Sequence, residues 1–183
     1  MLEELLKNPS DAPQLIAIAG SNGAGKSTFY HSHLAGTGLR FVNADELALK
    51  LDLGAYEAAK VADAIRRALV EKRESFIFET VFSDPVGDKV QFLKEAANTG
   101  YQVILIFIQI PDPATSIQRV SMRAARGGHD VSDEKLNARF ARTCADLERA
   151  IDVLPLVIVY DNSKLERPFE RVAVYSEGKR IEE

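Results

Sequence analysis

Short runs rich in β-branched and aromatic residues recur along the chain and alternate with segments of helical period. The runs at 15–19, 40–43, 76–79, 102–110, 156–160 and 172–175 predict strands. Between them, Val61, Ile65, Ala68 and Leu69 repeat at i, i+4, i+7 and i+8. Val86, Val90, Leu93 and Ala97 form a similar stripe, as do Leu136, Phe140, Cys144, Leu147 and Ile151. Each stripe predicts a helix with one buried face. Cys144 falls on such a stripe and is expected to be a buried small hydrophobe. Gly54 and Gly100 stand where helix-adjacent loops are expected. Residues 1–13 read as a short helix carrying Leu2, Leu5 and Leu6, followed by a Pro-containing loop.

Strand–helix alternation predicts an α/β fold, a mainly parallel sheet flanked by helices. Ile104, Leu105, Ile106, Phe107 and Ile108 are apolar without alternation. A central parallel strand, covered on both faces, requires that pattern. The segment 172–175 follows a loop with no helix, so an antiparallel edge strand is expected there. No repeat, low-complexity tract or linker divides the chain, and 183 residues suit one domain, 1–183.

Composition narrows the function classes. Hydrophobic residues make up 46% and charged residues 27%, which excludes collagen-like and wholly disordered chains. A net charge of −4 argues against bulk nucleic-acid or membrane binding. The longest apolar run, 103–108, is far too short to span a membrane. Cys144 is the single cysteine, so no internal disulfide forms. That fits a reducing cytoplasm, and the N-terminal segment lacks the pattern of a secretory signal.

Candidate chemistry begins at Gly20-Ser21-Asn22-Gly23-Ala24-Gly25-Lys26-Ser27, followed by Thr28. This is G-x-x-x-x-G-K-[ST], which arises by chance in roughly 1% of chains of this length. It follows an apolar strand and opens a helix, as a phosphate-cradling loop must. Glycines allow successive backbone N–H groups to turn toward phosphate oxygens. Lys26 supplies a charge for the β- and γ-phosphates, and Ser27 offers a hydroxyl to Mg²⁺. A nucleoside triphosphate with Mg²⁺ is therefore expected. An Asn-Lys-x-Asp base-reading motif is missing, and Asp161-Asn162-Ser163-Lys164 has the wrong order, which favours ATP over GTP.

Other polar residues stand at the ends of predicted strands, where open α/β sheets bind substrates. Asp45 follows Phe41-Val42-Asn43-Ala44. Its carboxylate either takes a proton from an attacking hydroxyl, or caps the helix starting at Glu46, or does both. Glu79 and Thr80 end the run at 76–79. Glu79 suits a Mg²⁺ or water-orienting position, a substrate hydroxyl contact, or a pairing with a nearby cation. Arg119, Arg123 and Arg126 recur at i, i+4 and i+7 and precede Gly127-Gly128. They read as arginines that spread charge over a transferring phosphoryl group. The segment 115–131 reads as a lid hinged at the glycines. Arg139 and Arg142 are secondary candidates. His31 and His33, two residues apart, do not share a helix face.

Taken together, the chain resembles the zeta-toxin family of P-loop kinases. The resemblance rests on residues 20–28, Val42-Asn43-Ala44-Asp45, Phe78-Glu79-Thr80-Val81-Phe82-Ser83, the segment from Arg119 through Gly127-Gly128-His129-Asp130-Val131, and Tyr160-Asp161-Asn162-Ser163. It covers residues 13–165. It implies a P-loop NTPase, nucleotide-kinase-like fold, with ATP as donor and a sugar hydroxyl of a UDP-N-acetyl-amino sugar as acceptor. It implies Asp45 as base, Glu79 with Thr80 at the substrate, and arginines of 119–126 on the phosphates. An antitoxin protein is the partner such a resemblance brings. Asp63 is the position that the family's acidic substrate contact on the preceding helix would occupy. Two alternatives stay open: a kinase of another small acceptor, and a low-turnover nucleotide-dependent switch or toxin–antitoxin module.

Overall fold

Alternation along the strands builds the molecule outward from one sheet. The structure, a computed structural model, describes residues 11–125 and 131–182. The helix expected near the N-terminus, and Arg126 through Asp130, lie outside the described residues. In chain order the strands are β1 (Gln14–Ala19), β2 (Arg40–Val42), β3 (Phe76–Thr80), β4 (Gln102–Gln109), β5 (Leu156–Asp161), β6 (Glu170–Ser176) and β7 (Lys179–Glu182). The helices are α1 (Lys26–Phe29), α2 (Ala44–Leu51), α3 (Ala55–Glu71), α4 (Asp88–Asn98), α5 (Pro113–Ala124) and α6 (Asp133–Val153). A π-turn over Tyr30–Leu34 extends α1.

The sheet order is β2-β3-β1-β4-β5-β6-β7. The first five strands are parallel, and β6 and β7 add antiparallel. All six expected strands form. The expected edge strand, β6, is antiparallel as foreseen but is not the edge, because β7 pairs outside it. Residues 179–182, Lys-Arg-Ile-Glu, carry too few apolar side chains to announce a strand. Their polarity is what an exposed edge needs.

Side-chain period sorts the core into two layers. Leu15, Ala17 and Ala19 of β1 join Val103, Leu105 and Phe107 of β4 on one face, packed on Leu69 of α3, Leu93 of α4 and Ala150 of α6. Ile16 and Ile18 join Ile104, Ile106 and Ile108 on the other, packed on Phe29 and Leu34. The unbroken apolar run of β4 is thus two alternating sets, one per layer. The chain leaves β1 toward β2, returns through β3, then crosses to β4 on the far side of β1. In open α/β sheets such a reversal is where a ligand crevice is expected, here beyond the carboxyl end of β1.

Three expected helix details shift. Val86 lies before α4, which begins at Asp88, and is exposed. The buried stripe of α3 runs through Ala58, Ala62 and Leu69, leaving Ala68 exposed. On α6 the buried line is Leu136, Thr143, Asp146 and Ala150, so Cys144, one position away, is exposed. In both long helices a small or polar residue takes the face that the apolar count assigned to its neighbour.

Asp146 is 1% exposed. Its Oδ1 accepts from Arg149 Nη1 at 2.9 Å, while Oδ2 has no hydrogen-bond partner among the described residues. Burial, reinforced by the nearby Asp84 carboxylate, pushes its carboxyl above the usual range. The unfolded chain releases this proton more readily, so stability falls as pH rises from the ordinary carboxyl value through the raised one. Asp146→Asn is therefore expected to raise Tm near pH 7.5 and to change it little below about pH 4. Calorimetric melts of both proteins across that range check the sign. An Asn variant that melts lower at neutral pH would contradict it.

Candidate active site

At the end of β1 the chain must turn without a side chain. A Cβ on Gly20 would lie 2.3 Å from the carbonyl oxygen of Ile108 on β4, and its φ is +147°. From there Ser21–Gly25 form a compact loop, with Ala24 N donating to Ser21 O at 3.2 Å. Lys26 turns back over the loop and donates from Nζ to Ser21 O at 2.9 Å. The lysine is 6% exposed, and burial lowers its pKa against the opposing pull of Glu79 and Asp45. Arg123 adds a smaller lowering effect. Ser27 and Thr28 follow on α1, both exposed.

Next to the loop, β3 runs parallel to β1 in a register that pairs Ile18 with Glu79 and Ala19 with Thr80. The register delivers Glu79 to the first turn of α1. Ser27 Oγ donates to Glu79 Oε2 at 2.8 Å, and Asn43 Nδ2 donates to the same oxygen at 2.9 Å. A hydroxyl beside a half-buried carboxylate is a hard oxygen donor pair, the kind Mg²⁺ takes. Such a cation keeps waters and phosphate oxygens as its other ligands and needs no protein cage. Among the described residues no group of three His, Cys, Asp or Glu forms one. The Ser27–Glu79 pair therefore fits Mg²⁺.

Asn43 is a residue whose role sequence reasoning left unassigned. Its Oδ1 accepts from Asp45 N at 2.8 Å and from Glu46 N at 3.4 Å. Asn43, not Asp45, is thus the cap of α2, and the helix starts at Ala44. The expectation of Asp45 as a cap is corrected: its carboxylate is released from that duty, stands exposed, and makes no side-chain hydrogen bond among the described residues. The signal was present, since Asn is a cap as good as Asp. Thr80 is buried, and its hydroxyl accepts from Phe82 N at 3.4 Å.

The arginines separate. Arg119 donates from Nη1 to Gly23 O at 3.3 Å and from Nη2 to Asn162 O at 2.8 Å. Ser116, also on α5, donates from Oγ to Asn22 O at 2.7 Å. Arg123, one turn on, is exposed and has no hydrogen bond or ion pair among the described residues. Arg142 donates to Ser83 O at 2.9 Å, which ties α6 to the loop after β3. Asp63 is engaged by Arg66 and Arg67 at 3.1 and 3.0 Å. Asn162, beyond the end of β5, donates from Nδ2 to Ala24 O at 2.8 Å. The resemblance motif Tyr160–Ser163 includes it but gives it no role, because that role depends on β5 ending beside the loop.

This geometry has relatives. Residues 15–144 match AAA_33, an AAA domain family, and the chain belongs to that family. Its fold is the kinase-like P-loop NTPase fold. The AvrRxo1-ORF1:AvrRxo1-ORF2 complex with ATP is similar at a TM-score of 0.69 and 17% identity, over 98% of this chain and 63% of that one. This chain thus spans less than two thirds of the length of that relative. The PezAT chromosomal toxin-antitoxin system of Streptococcus pneumoniae gives a TM-score of 0.61 at 17% identity, covering 94% and 78%. Shikimate kinase from Acinetobacter baumannii, with shikimate, gives 0.55 at 16%, covering 79% and 83%. No protein of curated function matches the chain. Among the described residues no helix is long and apolar enough to cross a membrane.

Gly20→Ala tests the close approach of loop and sheet. The Ile108 carbonyl belongs to a central strand and cannot move aside, so a loss of about 2 kcal/mol or more is expected. Denaturant titration reads it. An unchanged midpoint would contradict the packing described.

Proposed function

We propose that the protein is an ATP- and Mg²⁺-dependent kinase that transfers the γ-phosphoryl group to a hydroxyl of a small molecule. The zeta-toxin resemblance points to a UDP-N-acetyl-amino sugar as that acceptor. The observation that supports the reading is the Ser27–Glu79 hydrogen bond of 2.8 Å beside the phosphate loop that Lys26 closes, with the charges of Glu79 and Asp45 acting on the Lys26 ammonium.

Residues 20–28 hold the triphosphate, with backbone N–H groups and Lys26 against its anionic oxygens. When bound, Mg²⁺ neutralises charge that develops between the β- and γ-phosphates. Ser27 and Glu79 are the residues that would hold it. Asn43 donates to the same Glu79 oxygen as Ser27 and helps to fix it. Asp45, on the first turn of α2, orients the acceptor hydroxyl and takes its proton as the new O–P bond forms and the bond to the departing ADP breaks. The resemblance assigns Thr80 to the acceptor with Glu79, although Thr80 is buried on the opposite face of β3 with its hydroxyl accepting from Phe82 N. Arg123, with no hydrogen bond or ion pair among the described residues, is free to meet the moving phosphoryl group, and Arg126, outside the described residues, is the other candidate for that role. Arg119 sits behind the loop. The similar AvrRxo1 and PezAT structures are of two-component assemblies, which supports a protein partner of antitoxin type.

Incubation with γ-labelled ATP, Mg²⁺ and a panel of nucleotide sugars, simple sugars and nucleosides tests the acceptor. Label is expected in the UDP-amino sugar, and label in another compound alone would overturn that choice. Asp45→Asn is expected to slow transfer by roughly 10²–10⁴-fold while leaving ATP affinity within about threefold. Undiminished transfer in this variant would remove Asp45 from the role of base.

A further inference from the structure

A phosphate loop works only if its N–H groups point inward, yet nothing in an isolated loop dictates their direction. A trans peptide is planar, and its C=O and N–H point opposite ways. Holding a carbonyl from outside therefore aims the following N–H inward. Three consecutive carbonyls of this loop are held in that way. Asn22 O accepts from Ser116 Oγ at 2.7 Å. The Gly23 carbonyl accepts from Arg119 Nη1 at 3.3 Å, and the Ala24 carbonyl accepts from Asn162 Nδ2 at 2.8 Å. The N–H behind the Gly23 carbonyl, Ala24 N, is taken by Ser21 O at 3.2 Å. Of the grips by Arg119 and Asn162, the one on the Ala24 carbonyl, which aims Gly25 N–H, is therefore the one that serves an anion.

Asn162 is itself fixed on two more sides. Its N–H donates to Gln109 O at the end of β4 at 3.0 Å. Its carbonyl accepts from Arg119 Nη2 at 2.8 Å. The result is a closed clasp: β4 holds Asn162, Asn162 holds the loop, and Arg119 bridges the two. A Cβ on Gly25 would come within 2.6 Å of Asn162 Nδ2, with φ at +94°. The glycine at that position lets the amide reach the Ala24 carbonyl.

We infer that Asn162 is a positioning residue, which sets the phosphate loop in its anion-binding conformation from outside, with Arg119 bracing it. The inference rests on the proposed nucleotide site. It assigns Asn162 to the polyphosphate rather than to the base. A residue that contacts only the base affects ATP and leaves inorganic tripolyphosphate alone, whereas a loop-setting residue affects both.

Calorimetric titration of wild type, Asn162→Ala and Asn162→Asp with Mg-ATP and with Mg-tripolyphosphate separates these cases, with Tm recorded for each protein. Near pH 8 both variants are expected to bind both probes about tenfold more weakly than wild type, the loss one hydrogen bond of this kind brings. Relative to wild type at the same pH, the Asp variant is expected to recover on acidification, because a protonated carboxyl can again donate to Ala24 O. The Ala variant is not. If the Ala variant fails to fold, the pH response of the Asp variant decides alone. Weakened ATP with undiminished tripolyphosphate binding would overturn the inference, as would wild-type affinity in both variants or an Asp variant insensitive to pH. A wild-type protein that binds neither probe would instead overturn the functional reading on which the inference stands.

Discussion

A buried ammonium organises this molecule. Lys26 is almost fully removed from water, and an unpaired charge there would be very costly. Its proton is held by one loop carbonyl, Ser21 O, and by the charges of Glu79 and Asp45, which come from two other parts of the chain. The loop after β1 holds the ammonium directly, while the end of β3 and the first turn of α2 bear on it only through the field of their carboxylates. Burial still lowers the pKa, so these charges only partly offset desolvation. An anionic ligand with several oxygens would complete the compensation. That is the physical support for a polyphosphate in the proposed function.

The sheet makes that point rigid. Each layer of the core is drawn from every second residue of β1 and β4, and both strands are covered on both sides. Their parallel register sets where β3 and β4 stop relative to β1, and so places Glu79 and the Ile108 carbonyl against the loop. Chemistry at the rim is thus a consequence of packing several residues deeper. Asn43 and Asn162 translate that packing into side-chain orientation: one holds Glu79 and caps α2, the other holds the Ala24 carbonyl.

Much of this was legible in the sequence. The strands, the parallel order they imply and the phosphate loop followed from local runs and one spaced motif, because β-period and glycine geometry are local properties. Less legible were features that depend on what lies across a contact. The exposed Cys144 and the buried Asp146 on α6 exchange the roles apolarity assigned, since the helix face is set by where the loop after β3 and the N-terminal end of α4 pack. β7 escaped notice because an edge strand is polar. Asp45 and Asn43 are both good caps, and only the structure shows Asn43 taking that place. Arg119 and Arg123 are equivalent in spacing, yet one braces backbone while the other is free. Periodicity counts faces without knowing what each face meets.

In the proposed function, residues 20–28 form a polyphosphate nest closed by the buried Lys26. The most direct test of that nest is the salt dependence and stoichiometry of Mg-ATP binding to wild type and to Lys26→Ala, by calorimetry. One ATP per chain is expected for wild type, weakening as salt rises, and the alanine variant should lose at least about tenfold in affinity from a missing charged hydrogen bond. Equal affinity in the two proteins, or no saturable binding by wild type, would contradict it.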